Sequence, residues 1–135
     1  MSTIVEYKGG LRCRAEHTES GVVLISDAPK DNHGLGESFS PSDLLAVSLG
    51  SCILSMMGIT ARSLQVDIAG STATVDKEMA NAPRRIASIA VTVRVPHELH
   101  AEQRQKLEAA AHACPVHNVL DPTIHAPIAF QWGNA

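Results

Sequence analysis

One segment of the chain constrains the fold more than any other: a long, nearly uninterrupted apolar stretch that opens with Ser40-Pro-Ser-Asp43. Ser40 suits the N-cap of a helix, Pro41 suits its first turn, and Asp43 completes a capping box. The pattern predicts a helix over residues 41–63. Apolar side chains occur on nearly every side of it: Leu44, Leu45, Ala46, Val47, Leu49, Ile53, Leu54, Met56, Met57 and Ile59. Such a helix is buried on most sides. A single sheet covers one side, so we expect a second subunit to cover another.

The size and charge of the chain narrow the class of protein. Its 135 residues predict a single domain, 1–135. The formal net charge is −3 with no basic stripe, so we expect no nucleic-acid partner. No apolar run reaches the ~20 residues of a membrane helix. Residues 1–10 contain no apolar stretch typical of a signal peptide. We therefore expect a soluble, cytoplasmic protein that does not associate with membranes.

The remaining pattern indicates a mixed α+β chain. Alternating or short apolar runs bounded by turn residues predict strands over residues 4–8, 11–15, 22–26, 66–78, 87–95 and 124–132. The first three are expected to form an antiparallel meander, and Gly70 is a candidate bulge in the fourth. A second helix is predicted over residues 101–113, and a short third helix over 115–120. Residues 27–39 are expected to form a loop.

Three cysteines are present: Cys13, Cys52 and Cys114. An odd number at wide spacing is not a secreted disulfide framework. In a reducing cytoplasm a disulfide is more often transient and catalytic. Cys52 lies in the middle of the predicted long helix, among the small side chains of Ser48, Ser51 and Ser55. That pattern also fits an ordinary buried cysteine, so both interpretations stay open.

Cys114 lies at the end of the second predicted helix, where Pro115 opens the next. Exposed N–H groups at a helix N-terminus favour a thiolate, so we expect the pKa of Cys114 to be lowered. A peroxide reductase needs one thiolate to attack the O–O bond and a second thiol to condense with the resulting sulfenic acid. Cys52 and Cys114 fit these two roles if the fold brings them together. Cys13 shares an apolar strand face with Leu11 and Ala15, so we expect it to be structural.

A thiolate in the middle of a helix needs a cation nearby, and four arginines are candidates: Arg12, Arg14, Arg84 and Arg85. Each also fits a solvated surface charge. Asp43 is explained by the capping box. It precedes Cys52 by nine residues and faces the other side of the helix, so it cannot touch Cys52 of its own chain. It could orient an arginine, or reach a site across a dimer.

Histidines near Cys114 raise the alternative of a metal site. His112, Cys114 and His117 cluster in the sequence. Zinc sites usually draw pairs of ligands from both ends of a loop, and no second pair occurs near Cys52. We therefore expect no metal and no cofactor.

Two motifs together carry a family resemblance. The segment Phe39-Ser-Pro-Ser-Asp-Leu-Leu-Ala-Val-Ser-Leu-Gly-Ser-Cys52, followed later by Cys114-Pro-Val-His117, resembles the OsmC/Ohr family of osmotically inducible and organic hydroperoxide resistance proteins. The resemblance extends over essentially the whole chain. It implies an OsmC-like α+β fold, with antiparallel strands around a long central helix, in an intertwined homodimer with two active sites at the interface.

The resemblance also implies an activity. Cys52 would reduce organic hydroperoxides as an antioxidant thiol peroxidase, Cys114 would resolve the product as a Cys52–Cys114 disulfide, and dithiols such as lipoyl groups would regenerate the enzyme. Arg12 best matches the family's arginine. Hydroperoxide-resistance members carry a glutamate directly after the helix-opening proline, where this chain has Ser42. An acid follows at Asp43, as in a generic OsmC-like branch. The alternative is a non-catalytic OsmC-like dimer that binds a small apolar ligand at the subunit interface.

Overall fold

Two three-stranded sheets and a long apolar helix organise residues 2–133, the part of the chain that the computed structural model describes. The elements are, in order, β1 (Thr3–Gly9), β2 (Arg12–His17), β3 (Val23–Asp27), α1 (Pro41–Leu64), β4 (Thr72–Ala80), β5 (Arg85–Val95), α2 (Ala101–His112), α3 (Pro115–Asn118) and β6 (Ile128–Trp132). The predicted mixed α+β class is confirmed. The chain falls into two compact units, residues 1–45 and 46–135, which are described separately. The assignment of 1–135 as one domain stays a prediction.

The first unit contains the predicted antiparallel meander of β1, β2 and β3. The β1–β2 turn places Gly9, Gly10 and Leu11 at φ values of 86°, 62° and 63°. In the β2–β3 register Arg12 lies opposite Asp27. In the β1–β2 register Tyr7 lies opposite Cys13, so Cys13 shares a sheet face with an exposed aromatic side chain.

The loop between β3 and α1 folds back on the end of β3. The backbone N–H of Asp27 donates to the carbonyl of Phe39 at 3.0 Å, and the N–H of Gly36 donates to the carbonyl of Ala28 at 3.2 Å. A Cβ at Gly34 would overlap the backbone of Ala28, so the fold-back requires glycine there. The loop therefore has a defined path beside Asp27.

Helix α1 begins as predicted. The Ser40 hydroxyl accepts a hydrogen bond from the N–H of Asp43 at 3.1 Å, and the Asp43 carboxylate accepts one from the N–H of Ser40 at 2.9 Å. This reciprocal pair satisfies two donors that a helix start otherwise leaves open. The capping box and the helix start at Pro41 are confirmed.

The core of the second unit lies between α1, β5 and α2. Its fully or nearly fully buried side chains are Ala46, Leu49, Ile53, Met57, Ala61, Ile89, Val91, Val93, Val95, Leu107, Ala111 and Cys114. Alternate residues of β5 point into this core, as the alternation predicted. A Cβ at Gly50 would lie 3.1 Å from Val75, so glycine allows α1 to approach β4 closely.

The opposite face of α1 is exposed within the single chain. Val47 is 44% exposed and Ile59 is 67% exposed. The 24 residues of α1 have a mean hydropathy of 1.9 over an 18-residue window, so by length and composition alone the helix could cross a membrane. The expectation that no apolar run reaches that length was therefore wrong. Ile53 and Met57 of the same helix are fully buried, which is typical of a core helix.

Strand β4 begins at Thr72, not at residue 66 as predicted. Thr72 pairs with Arg94, near the end of β5, and Pro96 directly after β5 has no N–H to donate, so earlier residues lack a strand partner. Gly70 lies in a turn at φ 86° and is not the predicted bulge. The irregularity in the register falls instead between Glu78 and Met79.

Strand β6 pairs with β5 in parallel, which corrects the expectation of antiparallel strands throughout. The connection from β5 to β6 runs through α2 and α3, and a helical crossover of this kind returns the chain in the same direction. β6 also begins at Ile128, later than predicted, because Pro127 breaks the strand pattern before it. Helix α3 ends at Asn118, earlier than predicted.

Candidate active site

Cys52 lies on the flank of α1, between its buried and exposed faces. Leu49 and Ile53 beside it are fully buried, whereas Ser51 and Ser55 are exposed and Cys52 itself is half-buried. Its sulfur is therefore in contact with the core on one side and bordered by small polar side chains on the other. A partly exposed thiol in this position can react, whereas a fully enclosed thiol is usually inert.

Cys114 is fully buried between α2 and α3. It continues the apolar stripe of Leu107 and Ala111, as the helical spacing predicted. Pro115 opens α3, and the Cys114 sulfur accepts a hydrogen bond from the backbone N–H of His117 at 3.4 Å. The predicted cap-like position of Cys114 is thus present.

The side chains of Cys52 and Cys114 are neighbours, because Cys52 is one of the groups that raise the pKa of Cys114. Burial raises the pKa of Cys114 above the ordinary 9.0, and the neighbouring Cys52 raises it further. The backbone N–H groups of His117 and Val116 lower that pKa, but they are outweighed. The predicted lowering of the Cys114 pKa was therefore wrong, since α3 is a single short turn and desolvation dominates.

The first unit holds Arg12 between two carboxylates. Its Nη2 lies 3.4 Å from Asp27 Oδ2 and 3.0 Å from Glu37 Oε2. The other candidate arginines have different partners: Arg14 pairs with Glu16 at 3.0 Å, and Arg85 donates to backbone carbonyls. Of these three, Arg12 is the one paired with a buried carboxylate. Its predicted position beside Cys52 stays a prediction.

Asp27 and Glu37 were missed in the sequence. Asp27 is 1% exposed, and its Oδ2 accepts the backbone N–H of Glu37 at 2.9 Å as well as the Arg12 guanidinium. Counting outward from the turn signal at Ser20-Gly21 would place Arg12 opposite Pro29, whereas the observed register is centred on Glu19-Ser20 and pairs Arg12 with Asp27. Opposite charges directly across two strands commonly pair.

Asp43 and Ser42 occupy the start of α1. The Asp43 carboxylate accepts the N–H of Ser40, so its structural role is accounted for. The hydroxyl of Ser42 lies 3.2 Å from that of Ser40. The hydroxyl of Ser42 thus belongs to the hydrogen-bonded network at the start of α1.

Histidines near Cys114 have other partners. His117 Nε2 lies 2.8 Å from the carbonyl of Ala126, and the rings of His112 and His117 are 6.4 Å apart in an edge arrangement. Within residues 2–133, no three histidine, cysteine, aspartate or glutamate side chains gather as a metal site would require.

The fold and the thiol pair define a class: mixed α+β proteins in which a cysteine of a long apolar helix meets a second cysteine at the end of a later helix. The family model for OsmC-like proteins matches residues 34–128. That is well over half of the chain, and this protein belongs to the OsmC-like family. No curated protein sequence matches it.

Solved structures agree with this assignment. A protein from Psychrobacter arcticus 273-4, provisionally assigned to osmotic stress induction and detoxification response, is 41% identical with a TM-score of 0.92, covering 97% of this chain and 96% of that one. An organic hydroperoxide resistance protein OsmC from Legionella pneumophila is 18% identical with a TM-score of 0.76, covering 97% of both chains. An organic hydroperoxide resistance protein from Elizabethkingia anophelis, with thiocyanate bound, is 16% identical with a TM-score of 0.75, covering 97% and 96%. The last two share the fold.

Proposed function

We propose that this protein is a cysteine-based peroxidase that reduces organic hydroperoxides. The observation that carries the proposal is the proximity of Cys52 to the buried thiol of Cys114. A disulfide requires Cα atoms within about 7 Å, so neighbouring cysteine side chains are a precondition for it. The names of relatives in the OsmC-like family support the same chemistry.

The first step oxidises Cys52. Its thiolate attacks the outer oxygen of the hydroperoxide, the O–O bond breaks, and the sulfur becomes a sulfenic acid. The organic part leaves as an alkoxide and takes a proton from water to become an alcohol. The half-buried position of Cys52 on the flank of α1 gives the hydroperoxide a path to the sulfur.

The second step forms the disulfide. The Cys114 sulfur attacks the sulfur of the Cys52 sulfenic acid, and the S–O bond breaks. The departing hydroxide combines with the proton of the Cys114 thiol and leaves as water. Because the pKa of Cys114 is raised, that proton is still present at neutral pH. The Cys114 thiol therefore supplies the proton that the departing hydroxide takes up.

Arg12 supplies the cation in this proposal, and its two carboxylate partners fix the direction of its guanidinium. A fixed positive charge beside Cys52 favours the thiolate and orients the peroxide oxygens. Reduction then requires a dithiol, such as a lipoyl group. The dithiol gives two hydrogens to the Cys52–Cys114 disulfide and becomes a disulfide itself.

The proposal includes an intertwined homodimer in the cytoplasm. The outer face of α1 and the apolar side chains of the first sheet, among them Val5, Tyr7 and Leu24, are exposed in the single chain. Exposed apolar side chains of this kind mark an interaction site, and a second copy of the chain covers them in the proposed dimer. A cytoplasmic location fits a pair of cysteines that cycles between thiol and disulfide.

The test is a peroxide consumption assay with cumene hydroperoxide and dihydrolipoamide. Wild type should turn over, Cys52→Ser should consume no peroxide, and Cys114→Ser should react once and stop as a sulfenic acid that dimedone traps. Cys13→Ser is the matched control and should behave as wild type, because Cys13 lies in the first sheet. Full activity of Cys52→Ser would contradict the proposal.

A non-catalytic role is the second candidate, favoured by Ser42 at the position of the family's glutamate. In that case Cys52→Ser and wild type would consume peroxide at the same background rate. The protein would instead bind a small apolar probe, such as a naphthalene sulfonate dye, at one site per subunit. The two candidates therefore differ in both measurements.

A further inference from the structure

We propose that Asp27 is the positioning residue for Arg12, with Glu37 as its second partner. The inference rests on the proposed function, because it concerns the cation that serves Cys52.

Asp27 is a buried carboxylate whose two oxygens differ in their hydrogen bonding. Its side chain is buried at the end of β3, and its Oδ1 has no hydrogen-bond partner among residues 2–133. A buried carboxylate with one oxygen unsatisfied is costly to fold around, whereas an apolar residue at a strand end is not. The burial of Asp27 is therefore poorly explained by a contribution to stability. It is better explained by the groups that its other oxygen, Oδ2, binds.

Asp27 Oδ2 binds two groups at once. The same oxygen lies 3.4 Å from Arg12 Nη2 and accepts the backbone N–H of Glu37 at 2.9 Å. The Glu37 carboxylate reaches Arg12 at 3.0 Å. One buried oxygen thus ties the loop before α1 to the arginine. If the loop moves away, Arg12 loses both Glu37 and the environment of Asp27.

The backbone before Arg12 is also fixed. Leu11 lies in the left-handed region at φ 63°, where a side chain other than glycine is uncommon. Its N–H donates to the hydroxyl of Tyr7 at 3.3 Å, and its carbonyl accepts from the N–H of Ala28 at 3.1 Å. These hydrogen bonds hold the backbone of Leu11 in an unfavourable conformation next to Arg12. A fixed backbone at this point limits the directions in which the Arg12 side chain can point.

The two carboxylates should differ in how strongly they hold Arg12. Glu37 makes the shorter contact, but its side chain is 61% exposed, so solvent and salt weaken its hold. Asp27 makes the longer contact from a buried position, where screening is weak. We therefore expect Asp27 to dominate.

The experiment measures the second-order rate of Cys52 oxidation by cumene hydroperoxide in Asp27→Asn and Glu37→Gln. A misplaced catalytic group costs about 100-fold, and we expect a loss of that order for Asp27→Asn. Glu37→Gln should lose severalfold. Glu16→Gln is the matched control, because Glu16 pairs with Arg14 on the same sheet at the same 3.0 Å, and it should react as wild type. Equal rates in wild type and both variants would overturn the inference.

A double-mutant cycle separates positioning from folding. In the Arg12→Met background, Asp27→Asn and Glu37→Gln should cause no further loss of rate, because the group they position is gone. Losses that add to that of Arg12→Met would overturn the inference. If Asp27→Asn fails to fold, the cycle with the exposed Glu37 decides by the same criterion.

Alkylation of Cys52 distinguishes failure of this inference from failure of the proposed function. The ratio of the iodoacetate rate to the iodoacetamide rate reports positive charge beside the sulfur. Arg12→Met should lower the ratio, and Asp27→Asn should also lower it if the guanidinium is displaced. A rise of the ratio in Asp27→Asn, as simple loss of a negative charge would give, would contradict positioning. Lowered ratios in a protein without peroxide turnover would sustain positioning and reject the peroxidase.

Discussion

At the scale of single residues, Cys114 differs most from what its sequence position suggested. A cysteine directly before a helix should meet backbone N–H groups, and the N–H of His117 does reach its sulfur at 3.4 Å. Full burial and the neighbouring Cys52 nevertheless raise its pKa. Cys114 is thus held neutral, and in the proposed mechanism its proton is the one that leaves with the water.

The raised pKa of Cys114 predicts a loss of stability in alkali. The folded thiol keeps its proton to a higher pH than the unfolded one, whose pKa is near 9.0. Its contribution is complete below that value and declines as pH rises through the folded pKa. The free energy of unfolding of the reduced protein, measured by urea titration across this range, should fall more steeply in wild type than in Cys114→Ala. Cys13→Ser should keep the wild-type slope, and identical slopes in all three proteins would refute this account.

The partners of Arg12 illustrate what the sequence can yield at this scale. The pairing of Arg12 with Asp27 follows from the register of a short hairpin, and the centre of that register lies one residue before the turn signal at Ser20-Gly21, so the sequence alone misplaces the pairing. The meeting of Cys52 with Cys114 depends on the packing of α2 against α1, which no local pattern encodes. Motif resemblance suggested that meeting, and burial of Leu107 and Ala111 beside the core provides it.

At the scale of elements, sequence patterns correctly predicted the features that depend only on residues near them in the chain. The start of α1 at Pro41 follows from the Ser40–Asp43 capping box, which requires no distant contact. The start of β4 and the direction of β6 depend on β5 as a partner, and the sequence near each strand does not specify that partner. The six strands were therefore predicted in the correct order, but the start of β4 and the start and direction of β6 were not predicted.

The capping box gives a prediction for α1. Ser40→Ala should lower the free energy of unfolding by about 1 kcal/mol, because the N–H of Asp43 loses its acceptor. Ser63→Ala makes the same change at an exposed position near the other end of the helix and should alter stability by less than about 0.5 kcal/mol. Thermal or urea unfolding measures both. Equal effects of the two substitutions would show that the cap does not stabilise α1.

At the scale of the whole molecule, two apolar surfaces of the single chain call for a partner. The outer face of α1 exposes Val47 and Ile59, and the first sheet exposes Val5, Tyr7 and Leu24. Isolated apolar residues on a surface are ordinary, but Val5, Tyr7 and Leu24 share one face of the first sheet. The all-round apolar character of α1 is what the sequence contributed to this conclusion.

We predict an obligate homodimer in solution. Sedimentation equilibrium at micromolar concentration should give twice the mass of the 14.3 kDa chain. Ile59→Lys should weaken the dimer or unfold the protein, because it places a charge on the apolar helix face. Ala109→Lys adds the same charge to an exposed position of α2 and should leave the dimer intact. A stable, folded wild-type monomer would count decisively against the dimer.

The most direct measurement of the central claim is peptide mapping after oxidation. Reduced protein is treated with one equivalent of cumene hydroperoxide per chain, the remaining thiols are alkylated, and the disulfide-linked peptides are identified by mass spectrometry. We predict one intramolecular Cys52–Cys114 disulfide, with Cys13 recovered in alkylated form, because the side chains of Cys52 and Cys114 are neighbours. No peroxide-dependent disulfide, or a disulfide that contains Cys13, would contradict it.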